Sequence, residues 1–427
     1  MRKMKDTIYP WLGKIPVSWN TSKLLYCLRQ QICDGPHETP NVIDDGIPFI
    51  SIDSLNESKH VDLSIVKKFI SEEDYLMYRQ KTNLEKGDIL FSKSATIGKT
   101  AIVGDEVFMV WSPLAIIKSK VDSIQNEYLY YLLNCDELIA SIRLSGSFNT
   151  QANVGMREME RAVIPVPPLD EQKIVAQFLD SKCAEIDALF ADIQSEIETL
   201  EVYKRSVIAE AVTKGLDKSA PMKDSGIDYV GIIPVSWSIK RLKYILEERN
   251  YRSETGLETL LSVSQYFGVV PSYSIQRTMQ AKSLVGYKKV YPKDLVFNKL
   301  NPVLARFGVS AHTGITSPDF AVYYTDKADT RFLCYLLKTD AYIMEYGRLC
   351  TGVGDGFSRL YTPMLYNIKI AVPSLKEQCI IADYLDSTCA EIDAIIAQKQ
   401  EQLAVLADYK KSIIYEYVTG KKEVPVA

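Results

Sequence analysis

The chain has 427 residues, 47% of them hydrophobic and 24% charged, with a formal net charge of −4 and a pI near 5.7. That length leaves room for about two to four domains, and the composition is that of an ordinary globular protein, neither collagenous nor disordered. No apolar run approaches the roughly 20 residues that span a bilayer, the eight cysteines show no CxxC or CxxH spacing for zinc, and three histidines leave little material for metal or imidazole chemistry. The N-terminal MRKMKDTIYPWLG is basic but has neither the apolar stretch nor the small-residue cleavage site of a secretory signal. Together with scattered cysteines this points to a reducing cytoplasm.

Along the chain the first landmark is IPVSW (15–19), a turn with an apolar anchor. Short strand signals bounded by Gly and Asp follow in GIPFISI (46–52) and GDILFS (87–92), and NEYLYYLLNCDELIASIR (126–143) has helical spacing. Pro165, Pro167 and Pro168 stop the preceding chain before a long segment, 169–213. In it Ile186, Phe190, Ile193, Ile197, Leu200, Lys204, Val207 and Ala211 recur at steps of 4, 3, 4, 3, 4, 3 and 4. A sustained repeat of about 3.5 residues without internal Gly or Pro is a coiled-coil seam. Gly215 follows the last turn, where a left-handed residue ends a helix.

Some 20 residues on, IPVSW returns at 233–237. The strand signals DLVFNK (294–299) and FAVYY (320–324) and the helical TRFLCYLLKTDAYIMEYGR (330–348) come next. Pro373 and the capping box Ser374-Leu-Lys-Glu377 open a second long segment. There Ile392, Ile396, Lys399, Leu403, Leu406, Lys410, Ile413 and Tyr417 take the same steps, with Gly420 after the last turn. Asp180-Ser181 and Asp386-Ser387, able to act as caps, mark a point where each long helix can break.

A second echo shows the IPVSW pair to be no accident. DEQKIVAQFLDSKCAEIDAL begins at Asp170 and KEQCIIADYLDSTCAEIDAI at Lys376, an offset of 206 against 218 at IPVSW, so the second intervening segment is 12 residues shorter. The chain is two copies of one unit, each an IPVSW start, a variable domain and a long helix beginning EQ. Two matched seams point to mutual pairing. The second helix must return along the first, so the pair is antiparallel, with some 43 residues at ~1.5 Å each giving roughly 65 Å. Lys204 and Lys410 within the seam either fix its register or snorkel at its edge. The expected fold class is α+β, with domains at 1–165 and 216–370, a first long helix at 166–215, a second with a C-terminal tail at 371–427, and a pseudo-twofold relation between the copies.

Charge is unevenly spread. Residues 239–370 hold 18 Lys/Arg and 11 Asp/Glu, net +7, whereas 20–160 hold 14 and 20, net −6, and the helices 169–213 and 375–419 carry −6 and −4. The second domain is therefore a candidate phosphate binder through Lys299, Arg306, Arg348 and Arg359. The first offers a local basic face at most, through Lys93, Lys99 and Arg143. Enzyme motifs fail on inspection. KSATIGKT (93–100) has Lys93 where a phosphate-binding loop needs its first Gly. In TGVGDGF (351–357) the third Gly of a dinucleotide fingerprint would fall at Phe357. Asn301-Pro-Val-Leu lacks the second Pro and the aromatic residue of adenine methyltransferases. Asp44-Asp45 and Glu72-Glu73-Asp74 read as solvated loop and helix starts. No catalytic constellation and no metal site emerges.

The two IPVSW segments, DGPHETP (34–40), LEKGDILFSKSATIGKTAIV (84–103), DLVFNKLNP with GITSPDFAVYY, and the tails VPPLDEQKIVAQFLD and VPSLKEQCIIADYLD form an ordered set. In this set the chain resembles, over essentially its full length, the DNA-specificity subunit of type I restriction–modification enzymes. The resemblance implies two α+β target-recognition domains held apart by antiparallel helices, each reading half of a split, asymmetric site in double-stranded DNA. It also implies two methyltransferase subunits docked along the helices, and restriction/translocase subunits beside them. S-adenosylmethionine, ATP and Mg would belong to those partners, with no cofactor held by this chain and no membrane involved. By the same token Lys93, Ser94 and Lys99 in the first domain, and Lys299, Asn301, Arg306, Ser358 and Arg359 in the second, would meet the DNA. Arg and Lys suit guanine edges and phosphates, and Asn suits adenine. The competing readings are a stand-alone bivalent DNA-binding protein and a structural adaptor whose acidic rod and acidic first domain bind proteins.

Overall fold

The computed structural model describes residues 2–56, 58–145, 153–264, 268–274, 283–352 and 358–425. The chain divides into two compact units, Met1–Gln194 with Glu401–Ala427, and Ser195–Gln400. Both are α+β and built to one plan. In the first, an antiparallel sheet runs Cys33–Asp34, Leu114–Ile117, Ile89–Ser92, Thr100–Ile102; in the second the order is Glu247–Glu248, Phe320–Tyr324, Leu295–Asn298, Phe307–Val309. Phe91 faces Ala115 and Phe297 faces Ala321, the same register in both copies.

Why GDILFS and DLVFNK form strands is plain from where their side chains go. Successive side chains point to opposite faces. Ile89 and Phe91 enter a core with the helices, while Leu90 enters a second core with Val110 and Ile116. In the other unit Leu295 and Phe297 face the helices and Val296 packs with Val263 and Val322. A strand buried on both faces reads as a continuous apolar run, and both do.

The expected helices at 126–143 and 330–348 are each two: Asn126–Leu133 and Asp136–Ser145, then Thr330–Leu337 and Asp340–Leu349. Polar side chains end the first of each pair by taking its free carbonyls. Asn134 Nδ2 donates to Tyr130 O at 2.8 Å, and Thr339 Oγ1 donates to Leu336 O at 2.8 Å. Apolar periodicity runs across such a corner because both helices cover the same core.

The long helices are Leu169–Lys214 and Leu375–Val418. Neither breaks at Asp180-Ser181 or Asp386-Ser387, because those carboxylates look outward. Asp180 accepts from Lys59 Nζ and the Tyr131 hydroxyl, Asp386 from Arg331 and the Tyr335 hydroxyl. The Ser374–Glu377 capping box is half formed. The Glu377 N–H donates to Ser374 Oγ at 3.3 Å, but the Glu377 carboxylate is turned to Trp237 instead.

Within each unit the helix segments run antiparallel. In the first, Phe178 meets Tyr417 at 4.4 Å between ring centroids, and Asp187 accepts from Lys410 at 2.6 Å. In the second, Glu196 pairs with Lys399, and Asp393 accepts from Lys204 at 2.6 Å. Partner numbers fall as the first helix advances, at one constant register. Of the expected seam residues, Ile186, Ile197, Ile392 and Ile413 are buried. Ile193, Leu200, Val207, Ile396, Leu403 and Leu406 are half-buried, and Phe190 is 39% exposed. Exposed ion pairs of the Lys204–Asp393 kind contribute only about 0.2–1 kcal/mol, so burial of the seam carries the pairing and the charges set its register.

The duplicated landmarks close one joint in each unit. Trp19 donates its indole N–H to Glu171, which also takes the Arg2 guanidinium. Gln172, fully buried, accepts the Gln125 N–H at 2.8 Å and donates to Ser123 O and Pro167 O. Trp237 donates to Glu377 at 2.9 Å, and Gln378 accepts the Asp329 N–H and donates to Pro373 O. Behind each tryptophan the other long helix ends on a left-handed glycine, Gly420 (φ +68°) beside Trp19 and Gly215 (φ +76°) beside Trp237.

Two outcomes follow for chemical denaturation. An L-residue forced left-handed costs about 1–2 kcal/mol, and this is the loss expected for Gly215→Ala, where an added Cβ would meet nothing closer than 3.4 Å. Gly420→Ala should lose more, because its Cβ would lie 2.6 Å from Pro16 and 2.9 Å from the Trp19 ring. Trp237→Phe should cost about 1.5–3 kcal/mol, the range for a hydrogen bond to a charged group. Trp19→Phe should cost less, since Arg2 still neutralises Glu171; the reverse order would disprove the joint as described.

Candidate nucleic-acid interface

In the second unit the buried strand Leu295–Asn298 runs out into Lys299-Leu300-Asn301. Asn301 is left-handed (φ 47°, ψ 58°) and opens a single 3-10 turn, Pro302–Leu304. The turn is fastened to the segment Ser358–Arg359. The Asn301 N–H donates to Ser358 O at 2.8 Å, Asn301 Oδ1 accepts the Ser358 N–H at 3.2 Å, and the Leu360 N–H donates to Lys299 O at 3.0 Å. The carbonyl oxygen of Asn301 is therefore occupied, and its NH2 remains for an outside acceptor. The Gly-rich segment 353–357, which precedes Ser358, lies outside the described residues.

Around this loop the charges are unbalanced. Lys288, buried, pairs with Glu248 at 2.9 Å, and Thr362 Oγ1 donates to the other Glu248 oxygen at 2.7 Å. Burial alone would raise the Glu248 carboxyl, but the bonds from Lys288 and Thr362 outweigh it and hold the group below its ordinary range. Arg359 donates to Asp319 at 2.8 Å and covers the Tyr361 ring. The ammonium of half-buried Lys299 makes no hydrogen bond or ion pair with the described residues. Burial, then the nearby Lys288, push its ammonium below the usual lysine range. Arg306 is exposed beyond the turn, and Arg348 is exposed on the helix Asp340–Leu349, 3.6 Å from Glu345. Lys299, Asn301, Ser358 and Arg359 thus come together. Lys288 and Glu248, which complete the cluster, carried no signal in the sequence, where a lysine beside another lysine reads as surface.

The first unit has the same loop with its cations spent internally. Lys93 forms an ion pair with Asp34, which also lies 3.3 Å from His37 Nε2. Its backbone is bound on both sides, N–H to Pro113 O and O from the Val154 N–H. Ser94 bridges to Asn153. Lys99 donates its ammonium to Ile52 O at 3.3 Å and Leu55 O at 2.6 Å, tying down the 3-10 turn Ile52–Ser54. Of the basic residues singled out in this unit, Arg143 alone is solvent-exposed, on the helix Asp136–Ser145. Among the described residues no cluster of His, Cys, Asp and Glu is arranged to hold a metal, and no helix is long and apolar enough to cross a membrane.

Known proteins give this architecture a context. The family described as type I restriction modification DNA specificity domain matches residues 40–199 and 309–405. The putative type I restriction enzyme MjaX specificity subunit of Methanocaldococcus jannaschii is 27% identical over 97% of this chain and 96% of its own. The MjaVIII specificity subunit of the same organism is 25% identical over 88% and 86%. The EcoKI specificity subunit of Escherichia coli K12 is 22% identical over 96% and 90%. Among solved structures, a chain from work on complex assembly and conformational transition of the type I R-M system aligns with a TM-score of 0.70 at 16% identity, over 96% of this chain and 99% of that one. The HsdS subunit of Thermoanaerobacter tengcongensis aligns at 0.52 and 15%, over 96% and 98%. These last two likenesses are of fold, and they agree with two α+β domains and a helical linker. With more than half its length matched by the family, this chain belongs to the type I restriction–modification DNA-specificity proteins.

Proposed function

We propose that this chain is the sequence-recognition subunit of a type I restriction–modification complex. Each unit reads one half of a bipartite, asymmetric DNA site, and the paired helices set the gap between the halves. The observation that carries this reading is the pairing of one framework with two unlike loops. After the same buried strand the first unit presents Lys93-Ser94-Ala95 and the second Lys299-Leu300-Asn301. Two unlike readers call for a non-palindromic target, in contrast to the palindromes bound by symmetric dimers. In the second unit Lys299, Asn301, Arg306, Arg348, Ser358 and Arg359 are the proposed contacts. In the first, Ser94 and Arg143 take that part, with Lys93 and Lys99 building the loop that carries Ser94.

The chemistry belongs to partners in this reading. Two methyltransferase subunits dock on the long helices, bringing S-adenosylmethionine; restriction subunits add ATP- and Mg-dependent steps, in the cytoplasm. The surface suits duplicated docking. Ile174, Leu189 and Tyr203 on the first helix are exposed, and so are their counterparts Ile380, Ile395 and Tyr409, each 206 residues on. Steps of 14 and 15 residues are close to four helical turns, so each trio shares one face.

Binding assays with and without the methyltransferase subunits test this. Tight, sequence-specific binding is expected only in the complex. Specific binding by the chain alone would favour a free-standing DNA-binding protein, and none in either case an adaptor. Deleting one heptad from each helix, 190–196 with 396–402, removes Glu196 and Lys399 together and keeps the seam in phase. Methylation mapping should then show both half-sites retained and the gap altered. An unchanged gap would remove the spacer role.

A further inference from the structure

The two loops answer to the same fold but not to the same electrostatics. In the first unit each loop lysine already has its acceptors, a carboxylate for Lys93 and two carbonyls for Lys99. In the second unit three cations, Lys288, Lys299 and Arg359, share two carboxylates, Glu248 and Asp319. Glu248 is saturated by Lys288 and Thr362, and Asp319 is engaged by Arg359. Among the described residues one positive charge is left over, and it is Lys299. It sits half-buried just past the end of a buried strand, its ammonium without an anion among the described residues. Arg359 adds a buried Nε that has no acceptor among the described residues. An anion seated here would relieve the crowding of like charges and accept from both side chains. The segment charges point the same way, +7 for 239–370 and −6 for 20–160.

Building on the function proposed above, we infer that the units divide DNA binding unequally. The Lys299–Arg359 pair, backed by Lys288, seats one backbone phosphate, while the first unit engages its half-site without a loop lysine on the backbone. The first half is then read through uncharged and helix-borne contacts, and the second anchors the complex electrostatically.

Neutralising one phosphate contributes about −0.9 to the slope of log K against log salt. The test uses the full chain with its methyltransferase subunits, on a duplex carrying the site found by methylation mapping and on a scrambled duplex of equal length. Lys299→Gln should make the slope shallower by about 0.9 on both duplexes, and Lys299→Arg should restore it. Lys93→Gln should leave the slope unchanged while lowering the denaturation midpoint, because Asp34 loses its partner. The inference is overturned if Lys299→Gln, folded by circular dichroism, keeps the full slope, or if Lys93→Gln flattens it equally. A loss confined to one base position would make Lys299 a base reader and overturn it too. Should the unmutated complex bind neither duplex, the recognition function itself fails, a result distinct from any change between variants.

Discussion

Every other feature of the molecule depends on the joint between a tryptophan and a helix start. Trp19 and Trp237 are almost wholly buried, and each gives its one polar hydrogen to the glutamate of an EQ pair. A buried indole N–H needs an acceptor, and a carboxylate in the first turn of a helix is favoured by the helix dipole. One contact therefore satisfies two requirements. Its reach is wider because the glycine behind each tryptophan belongs to the other long helix. In the first unit Gly420 closes on the joint begun by Glu171; in the second Gly215 closes on the one begun by Glu377. Neither unit can be completed by its own repeat alone, since each borrows the far end of its sibling's helix.

Between the joints the helices need only stay in phase. The seam is short of large side chains at full burial, and its half-buried positions leave room for charged neighbours. Lys204–Asp393 and Lys410–Asp187 are the same pair written twice, because both members recur 206 residues on. Glu196–Lys399 has no such counterpart: the residues 206 positions away are Gln402 and Ile193. Glu196–Lys399 is thus one place where the repeat is broken, by residues at which the two helices can be told apart.

Much of this was legible in the sequence. The seam, the left-handed glycines and the strand runs all follow from local rules, and the repeat gave the antiparallel direction. What was not legible has two causes: local side-chain bonds that periodicity does not register, and deciding partners that lie far off in sequence. Asn134 and Thr339 end helices by back-bonding, which periodicity cannot register. Asp180 and Asp386 fail to cap because Tyr131 and Tyr335 claim them. Lys99, a credible DNA contact by motif, is consumed by two carbonyls some 45 residues upstream. The joint itself did leave a trace. Residues kept identical between copies that otherwise share little, IPVSW and EQ, mark a constraint, though their meeting could be seen only in space.

In the proposed function, the same comparison explains how one framework can serve two different targets. At the start of the central strand each unit buries an aspartate, Asp88 with Arg29 and Lys118, Asp294 with the Arg249 fork. Burial raises both carboxyls despite their cationic partners, so these groups are held by geometry at a solvation cost and tolerate little change. Seven residues further on the backbone is left-handed in both copies, at Ala95 (φ 55°) and Asn301 (φ 47°). Between those fixed points the three buried apolar positions stay apolar, Ile89-Leu90-Phe91 in one copy and Leu295-Val296-Phe297 in the other, while Ser92 and Ser94 give way to Asn298 and Leu300. At the left-handed turn the side chain is alanine in one unit and asparagine in the other. The backbone path is set by the buried aspartate, the strand and the turn; the chemistry presented is set by side chains that the core does not see. Recognition can therefore diverge between the units without asking either to refold.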